Sequence, residues 1–298
     1  MVLIPAVPVR QTLFFALLLI SPLLWAQELD PQRLLNEDLK RQLPAHRYQM
    51  LTLDENAEFP VLVNTHSSPS SRGVAVLVND ISEAPLEQSA LAPLVPYLNG
   101  LGWDTLLLSP PQTELFAVGE RNDTDTQSTS SSPTSKEPEA NPIRPYQTTS
   151  PMTEQAIEQH KTVFANYMQA VQQERQSYRG YHLVIAKGTS AAWIIEMYNQ
   201  AQLPPADGIV ILGPYLPDSE MNRRVPDLIS RNRLPLLDIY TRWDNHWASM
   251  SVHQRRQAAR KAFQPDYRQR QLVGQSLSDE QYAYMSKEIY GWLSSMGW

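Results

Sequence analysis

The sequence predicts an α/β protein with one mostly parallel, doubly wound sheet and helices on both faces. Three observations predict it. Short β-branched runs alternate with amphipathic segments along most of the chain. The run Gly73-Val74-Ala75-Val76-Leu77-Val78 has no polar interruption, as expected for a strand covered on both faces. Helix-start signals, Ser150-Pro151 and Ser278-Asp279-Glu280-Gln281, stand ahead of amphipathic segments.

The elements follow in order. Tyr48 to Leu53 and Phe59 to Val63 are apolar runs joined by the polar turn Asp54-Glu55-Asn56, which predicts an antiparallel pair. Gly73 to Val78 is the first buried strand, ending in Asn79-Asp80. Leu86 to Leu98 reads as a helix closed by Asn99-Gly100, and Trp103 to Leu108 returns as a strand. After Ser150-Pro151, a helix should bury Ile157, His160, Val163, Phe164, Tyr167, Met168 and Val171 along one stripe. Strands are expected at His182 to Ala186, Gly208 to Leu212, Leu234 to Tyr240 and Tyr267 to Val273. The last helix should bury Tyr282, Met285, Ile289 and Leu293.

Two segments stand outside this pattern. Residues 1–26 read as a secretory signal: Arg10 precedes the short apolar run Leu13 to Leu24, and Ala26 offers a small residue at the cut. The mature chain, 27–298, is then expected to be one domain in a bacterial periplasm, not membrane-spanning after processing. Residues 121–149 are rich in Ser, Thr, Pro and Asn, with Ser128-Thr129-Ser130-Ser131-Ser132-Pro133 at their centre. Such a stretch cannot bury enough apolar surface to offset the entropy of ordering it, so it is read as a disordered insertion.

Composition removes several function classes. The chain has 298 residues, no cysteine and a net charge of −6. Disulfide frameworks, thiolate nucleophiles and cysteine zinc sites are excluded together. The acidic balance speaks against a dedicated nucleic-acid binder. No glycine loop of phosphate-cradling form is present, and His and acidic residues show no metal spacing, so no cofactor and no metal are expected. Arg255, Arg256, Arg260 and Lys261, followed by Arg268 and Arg270, form a local basic cluster that suggests weak contact with an anionic envelope surface.

The most informative stretch is His182-Leu183-Val184-Ile185-Ala186-Lys187-Gly188-Thr189-Ser190-Ala191-Ala192-Trp193. An apolar strand enters a turn of small residues and leaves as a helix, which resembles the nucleophile elbow of the α/β-hydrolase fold. Together with Gly73 to Asp80, Pro235-Leu236-Leu237-Asp238-Ile239-Tyr240 and Gly291-Trp292-Leu293, it makes the chain resemble DUF3530, a family of uncharacterised secreted bacterial proteins related to that fold.

The resemblance allows two registers. In one, Ala186 and Ser190 are the small flanks and Gly188 takes the nucleophile position, where it has no atom to attack with. In the other, Gly188-Thr189-Ser190-Ala191-Ala192 makes Ser190 the nucleophile. The first places the turn better, because small Ala186 follows the apolar run Leu183 to Ile185. Ser190 then serves close packing or helix capping.

The resemblance also implies positions for the partners. Asp244 falls where the acid belongs, and Gln275 stands near the base position. A glutamine cannot take and return a proton at neutral pH. No histidine follows His253, so a working triad would have to recruit His246 or His253. Val78-Asn79-Asp80-Ile81 occupies the oxyanion region. A carboxylate there opposes a developing oxyanion unless it points away, so Asn79 and Asp80 are expected to shape a turn. Asn79, Asp80, Lys187 and Trp243, the last near Trp247, are expected to line a crevice at the strand ends.

The expectation is therefore a degenerate binding or scaffold protein of the cell envelope, whose partner is an unspecified small molecule or envelope protein. Two alternatives stand beside it: an esterase- or peptidase-type serine hydrolase using Ser190, Asp244 and a displaced histidine, and an anion-binding protein using the Arg255 to Arg270 cluster.

Overall fold

The computed structural model describes residues 31–54, 57–81, 83–87, 90–111, 116–117, 150–151, 154–274 and 279–298. Residues 1–26, expected to be a secretory signal, residues 121–149, expected to be an insertion, and Gln275 lie outside the described residues.

Helix α1 (Pro31–Gln42) precedes an antiparallel pair, β1 (Tyr48–Asp54) and β2 (Ala57–Asn64), with Tyr48 opposite Leu62. β3 (Gly73–Val78) follows, then helix α2 (Val95–Gly100) and β4 (Trp103–Leu108). A two-residue ladder joins β5 (Phe116–Ala117) to β6 (Ser150–Pro151). Helix α3 (Glu154–Arg175) leads to β7 (Tyr181–Lys187), which runs directly into α4 (Gly188–Asn199). The chain continues through β8 (Gly208–Leu212), α5 (Ser219–Asn222), α6 (Val225–Arg231), β9 (Leu236–Thr241), α7 (His246–Lys261), β10 (Tyr267–Leu272) and α8 (Asp279–Ser295).

Eight of these strands form one sheet in the order β1-β2-β4-β3-β7-β8-β9-β10. The pairs from β4 to β10 are parallel, and β2 runs antiparallel to both of its neighbours. Alternate residues of β3 divide the core. Val74, Val76 and Val78 join one apolar cluster with Phe164 and Met168 of α3 and Trp193 of α4. Ala75 and Leu77 join the other, with Leu39 of α1, Leu98 of α2 and Ile289 of α8. Both faces of the central strands are covered, which is why β3, β8 and the Leu183 to Ala186 part of β7 read as unbroken apolar runs.

Three local expectations are corrected. The helix expected over Leu86 to Leu98 is instead a single 3₁₀ turn, Ala92–Leu94, followed by the short α2. Pro93 and Pro96 each lack an amide donor and so sit in the first turn of a short helix rather than inside a long one. The Leu91 N–H goes to the Asn79 side chain. Ser150-Pro151 pairs with Phe116–Ala117, and α3 begins at Glu154, so tertiary pairing overrides a local cap signal. Along α3 the expected stripe is buried except Val163, 41% exposed at its margin. Helix α8 buries Tyr282, Met285, Ile289 and Leu293 as its periodicity indicates. No helix among the described residues is long and apolar enough to cross a membrane.

Candidate functional site

The parallel strands end together, and their C-terminal ends hold a cavity of about 250 Å³. Its wall includes Asp80 and Glu83 after β3, Lys187 and Gly188 at the β7–α4 turn, Tyr215 after β8, and Trp243 and Asp244 after β9.

The turn at its floor falls on Gly188. Its φ is 60°, in the left-handed region that glycine enters at little cost. A Cβ built on Gly188 would overlap the Asp80 carboxylate. That carboxylate occupies the space into which an elbow side chain would project.

Asp80 reaches this place because Asn79 clamps the strand end. The Asn79 amide donates to Ser109 Oγ at 2.9 Å, and its Oδ1 accepts the Leu91 N–H at 2.8 Å. Asp80 is then turned inward and is only 7% exposed. Its Oδ1 accepts the N–H of Ile81 at 2.8 Å and of Thr189 at 2.9 Å, and its Oδ2 accepts the Tyr215 hydroxyl at 2.9 Å. In a hydrolase elbow, the amide after the nucleophile and one from the first strand–helix loop together hold the oxyanion. Thr189 and Ile81 are the residues at those two positions, and both amides are spent on Asp80. The expectation that Asn79 and Asp80 merely shape a turn is thus corrected: Asp80 fills the oxyanion position with its own carboxyl oxygen. Asn79 is fully buried beneath the loop and does not line the crevice.

Burial dominates the electrostatics. It raises the pKa of Asp80, opposed by the bonds from Thr189, Tyr215 and Ile81 and by the nearby Lys187 charge. Glu83 is likewise raised by burial, against the pull of Lys187, with which it forms an ion pair. Tyr215 is pushed up by burial and by the Asp80 charge, so it stays a hydrogen-bond donor. Asp244 is raised by burial as well.

Asp244 does follow β9 and lines the cavity, yet its carboxylate is already bound. Oδ2 accepts the Thr241 N–H at 2.9 Å and Oδ1 the Thr241 hydroxyl at 2.7 Å. Gly213, at φ 51°, leaves room for it: a Cβ there would lie 2.9 Å from Asp244 Oδ2. Trp243 stands at the mouth, 63% exposed, with Nε1 donating to Gly274 O at 3.0 Å.

The structure does not bring the alternative triad together. Ser190 lies fully buried in the first turn of α4 and does not line the cavity; its hydroxyl has no hydrogen-bond partner among the described residues. It caps nothing, since the cap position is Lys187. His246 and His253 are exposed on α7, and no histidine is among the described residues lining the cavity. The basic cluster is also corrected. Arg255 is fully buried: Nε and Nη2 donate to Asp238 at 2.9 and 3.1 Å, and Nη1 to Ala248 O and Ser251 Oγ. Arg270 pairs with Glu288 at 3.3 Å, leaving Arg256, Arg260 and Lys261 exposed and Arg268 half-buried. Position in the chain placed Arg255 among surface charges, but Asp238, a lone carboxylate inside the apolar strand β9, needs a buried cation.

Tyr215 and Glu83 were not singled out from sequence. The only signal for Tyr215 is its place two residues beyond the glycine that ends β8. Among the described residues, no group of three His, Cys, Asp or Glu side chains is placed to hold a metal ion.

The sheet order, the glycine turn and the cavity over it define an α/β-hydrolase-type fold. Solved structures agree: the esterase domain of a Rhodothermus marinus protein superposes with TM-score 0.51 at 10% identity, covering 82% of this chain and 96% of that one. Est1E from Butyrivibrio proteoclasticus gives 0.52 at 8% identity over 83% and 98%. The thioesterase domain from the curacin biosynthetic pathway gives 0.51 at 11% over 83% and 100%. At these identities the likeness is one of fold alone. The chain itself belongs to DUF3530, described as a protein of unknown function, whose family profile matches residues 24–295. No curated protein matches the sequence.

Proposed function

We propose that this protein is a non-catalytic binding protein of the bacterial cell envelope, exported by residues 1–26, which keeps the substrate crevice of its fold and has lost the means of acyl transfer. One observation carries the reading: Asp80 Oδ1 holds both amides that would stabilise an oxyanion, at 2.8 and 2.9 Å. An ester carbonyl entering the turn would meet a filled hole above a residue with no side chain. The cavity remains lined, shaped and open to a ligand.

Incubation of the purified protein with a fluorophosphonate probe tests this, because only an activated serine is labelled. No labelling and no turnover of short acyl esters are expected. Labelling that Ser190→Ala abolishes would overturn the reading. Export is tested separately by N-terminal sequencing of the periplasmic species, expected to begin near Gln27; an intact Met1 or Val2 there would refute it.

A further inference from the structure

Charge is unevenly divided along this chain. Met221 to Pro265, which holds α6, β9 and α7, carries nine Lys and Arg against three Asp and Glu, a net +6 in a protein of −6. The other residues therefore carry −12. Eight of the nine cations are exposed, Arg255 being the exception, and none of the eight is in an ion pair among the described residues. Of the three acids only Asp227 is exposed; Asp238 is buried against Arg255, and Asp244 is held by Thr241.

Two side-chain bonds gather these cations onto one helix pair. Asn222 Nδ2 donates to Trp247 O at 2.9 Å, and Gln264 Nε2 donates to Asn232 O at 2.6 Å. The first sets Arg223 and Arg224 beside the start of α7. The second sets Arg231 and Arg233 beside its end, where Arg260, Lys261 and Phe263 stand. Helix α7 buries Ala248, Val252, Arg255 and Ala259 and turns Met250, His253, Gln257 and Lys261 to solvent.

A second observation is independent of charge. Phe263 closes α7 in a Schellman turn: its N–H donates to Arg260 O at 3.1 Å, and the Gln264 N–H to Ala259 O at 3.2 Å. Its φ is 52°, at a position that glycine usually takes, and its ring is 90% exposed. The stability given up in that backbone is not returned by packing inside the chain. Met250, 58% exposed, projects from the same helix.

We infer that α6 and α7 form a docking face for an anionic phospholipid bilayer. Phe263 and Met250 enter the boundary between headgroups and acyl chains, and the exposed arginines and Lys261 meet the lipid phosphates. A protein partner fits this face poorly, because protein interfaces deplete charge from an apolar centre, whereas here single apolar side chains are interleaved with cations. The net −12 of the other residues keeps the remaining surface turned from the same leaflet. The inference is independent of what the crevice binds.

The test is co-sedimentation of the purified protein with vesicles of phosphatidylcholine alone or with about one third phosphatidylglycerol. Binding to the anionic vesicles should be at least about tenfold tighter, and the difference should vanish in about 1 M salt. Any apolar contribution from Leu13 to Leu24 is common to both vesicles, so the ratio is the readout. Lys261→Gln should weaken anionic binding about fivefold. Phe263→Gly should weaken it about tenfold while the unfolding temperature rises, because glycine suits the left-handed turn. Equal binding to both vesicles, or to neither, overturns the inference. Anionic binding that Phe263→Gly leaves unchanged, with equal retention of both proteins on heparin, assigns the face to a soluble polyanion and overturns it too.

Discussion

Gly188 and Asp80 should be energetically coupled, and a double-mutant cycle measures how strongly. Gly188→Ala places a Cβ on a residue at φ 60°, which costs about 1–2 kcal/mol for the left-handed backbone alone. The same Cβ overlaps the Asp80 carboxylate and must evict it. Eviction breaks the bonds from Ile81, Thr189 and Tyr215 and leaves a buried carboxylate seeking new partners, for about a further 2–3 kcal/mol. The single substitution should therefore destabilise by about 4 kcal/mol. On an Asp80→Ala background the overlap is gone, and Gly188→Ala should cost only the backbone share. The expected coupling is about 2 kcal/mol, read from urea unfolding of the four proteins. Additivity within about 0.5 kcal/mol would show that Asp80 does not occupy the space above Gly188. The structural basis of the non-catalytic reading would then be lost.

Other consequences follow from buried charges. Arg255→Ala should destabilise by about 3–5 kcal/mol, because Asp238 is left as an uncompensated charge inside the sheet; a loss under about 1 kcal/mol in urea unfolding would refute the pairing. Asp244 has a raised folded pKa, so its favourable contribution is complete below its ordinary value of 3.8 and is lost as pH rises through the folded value. The stability of Asp244→Asn relative to the unaltered protein should accordingly improve from pH 4 to pH 7, and a flat or opposite trend would refute the assignment. His182 is fully buried and its pKa is lowered to about 3, chiefly by burial and then by the Arg175 charge. A base with a lowered folded pKa stabilises above its ordinary value of 6.5 and loses that contribution as pH falls, by roughly 3 kcal/mol at pH 4. His182→Leu should flatten the acid limb of the stability profile; an unchanged limb would place the imidazole in contact with solvent.

The sequence by itself determined the sheet. A strand covered on both faces must be apolar at every position, so Gly73–Val78 and Gly208–Leu212 announced themselves with their limits. The stripe of α8 did so by its period. The sequence also favoured glycine over Ser190 at the turn, because small Ala186 follows the apolar run, and the left-handed backbone of Gly188 settled the register. Local chemistry misled where distant partners intervened. Ser150-Pro151 carries a good helix cap yet pairs with a strand supplied from Phe116–Ala117. Arg255 looks like its exposed neighbours until Asp238, 17 residues earlier, is packed beneath it. The direction in which Asp80 points belonged entirely to tertiary structure. Asn79 sets it through Ser109 and Leu91, and Thr189 and Tyr215 receive the result from beyond β7 and β8. Periodicity reports which face of an element is buried; it carries no information on which buried groups from separate elements meet. The sheet was therefore legible in the chain, while the filling of its crevice was decided only when four segments closed around one carboxylate.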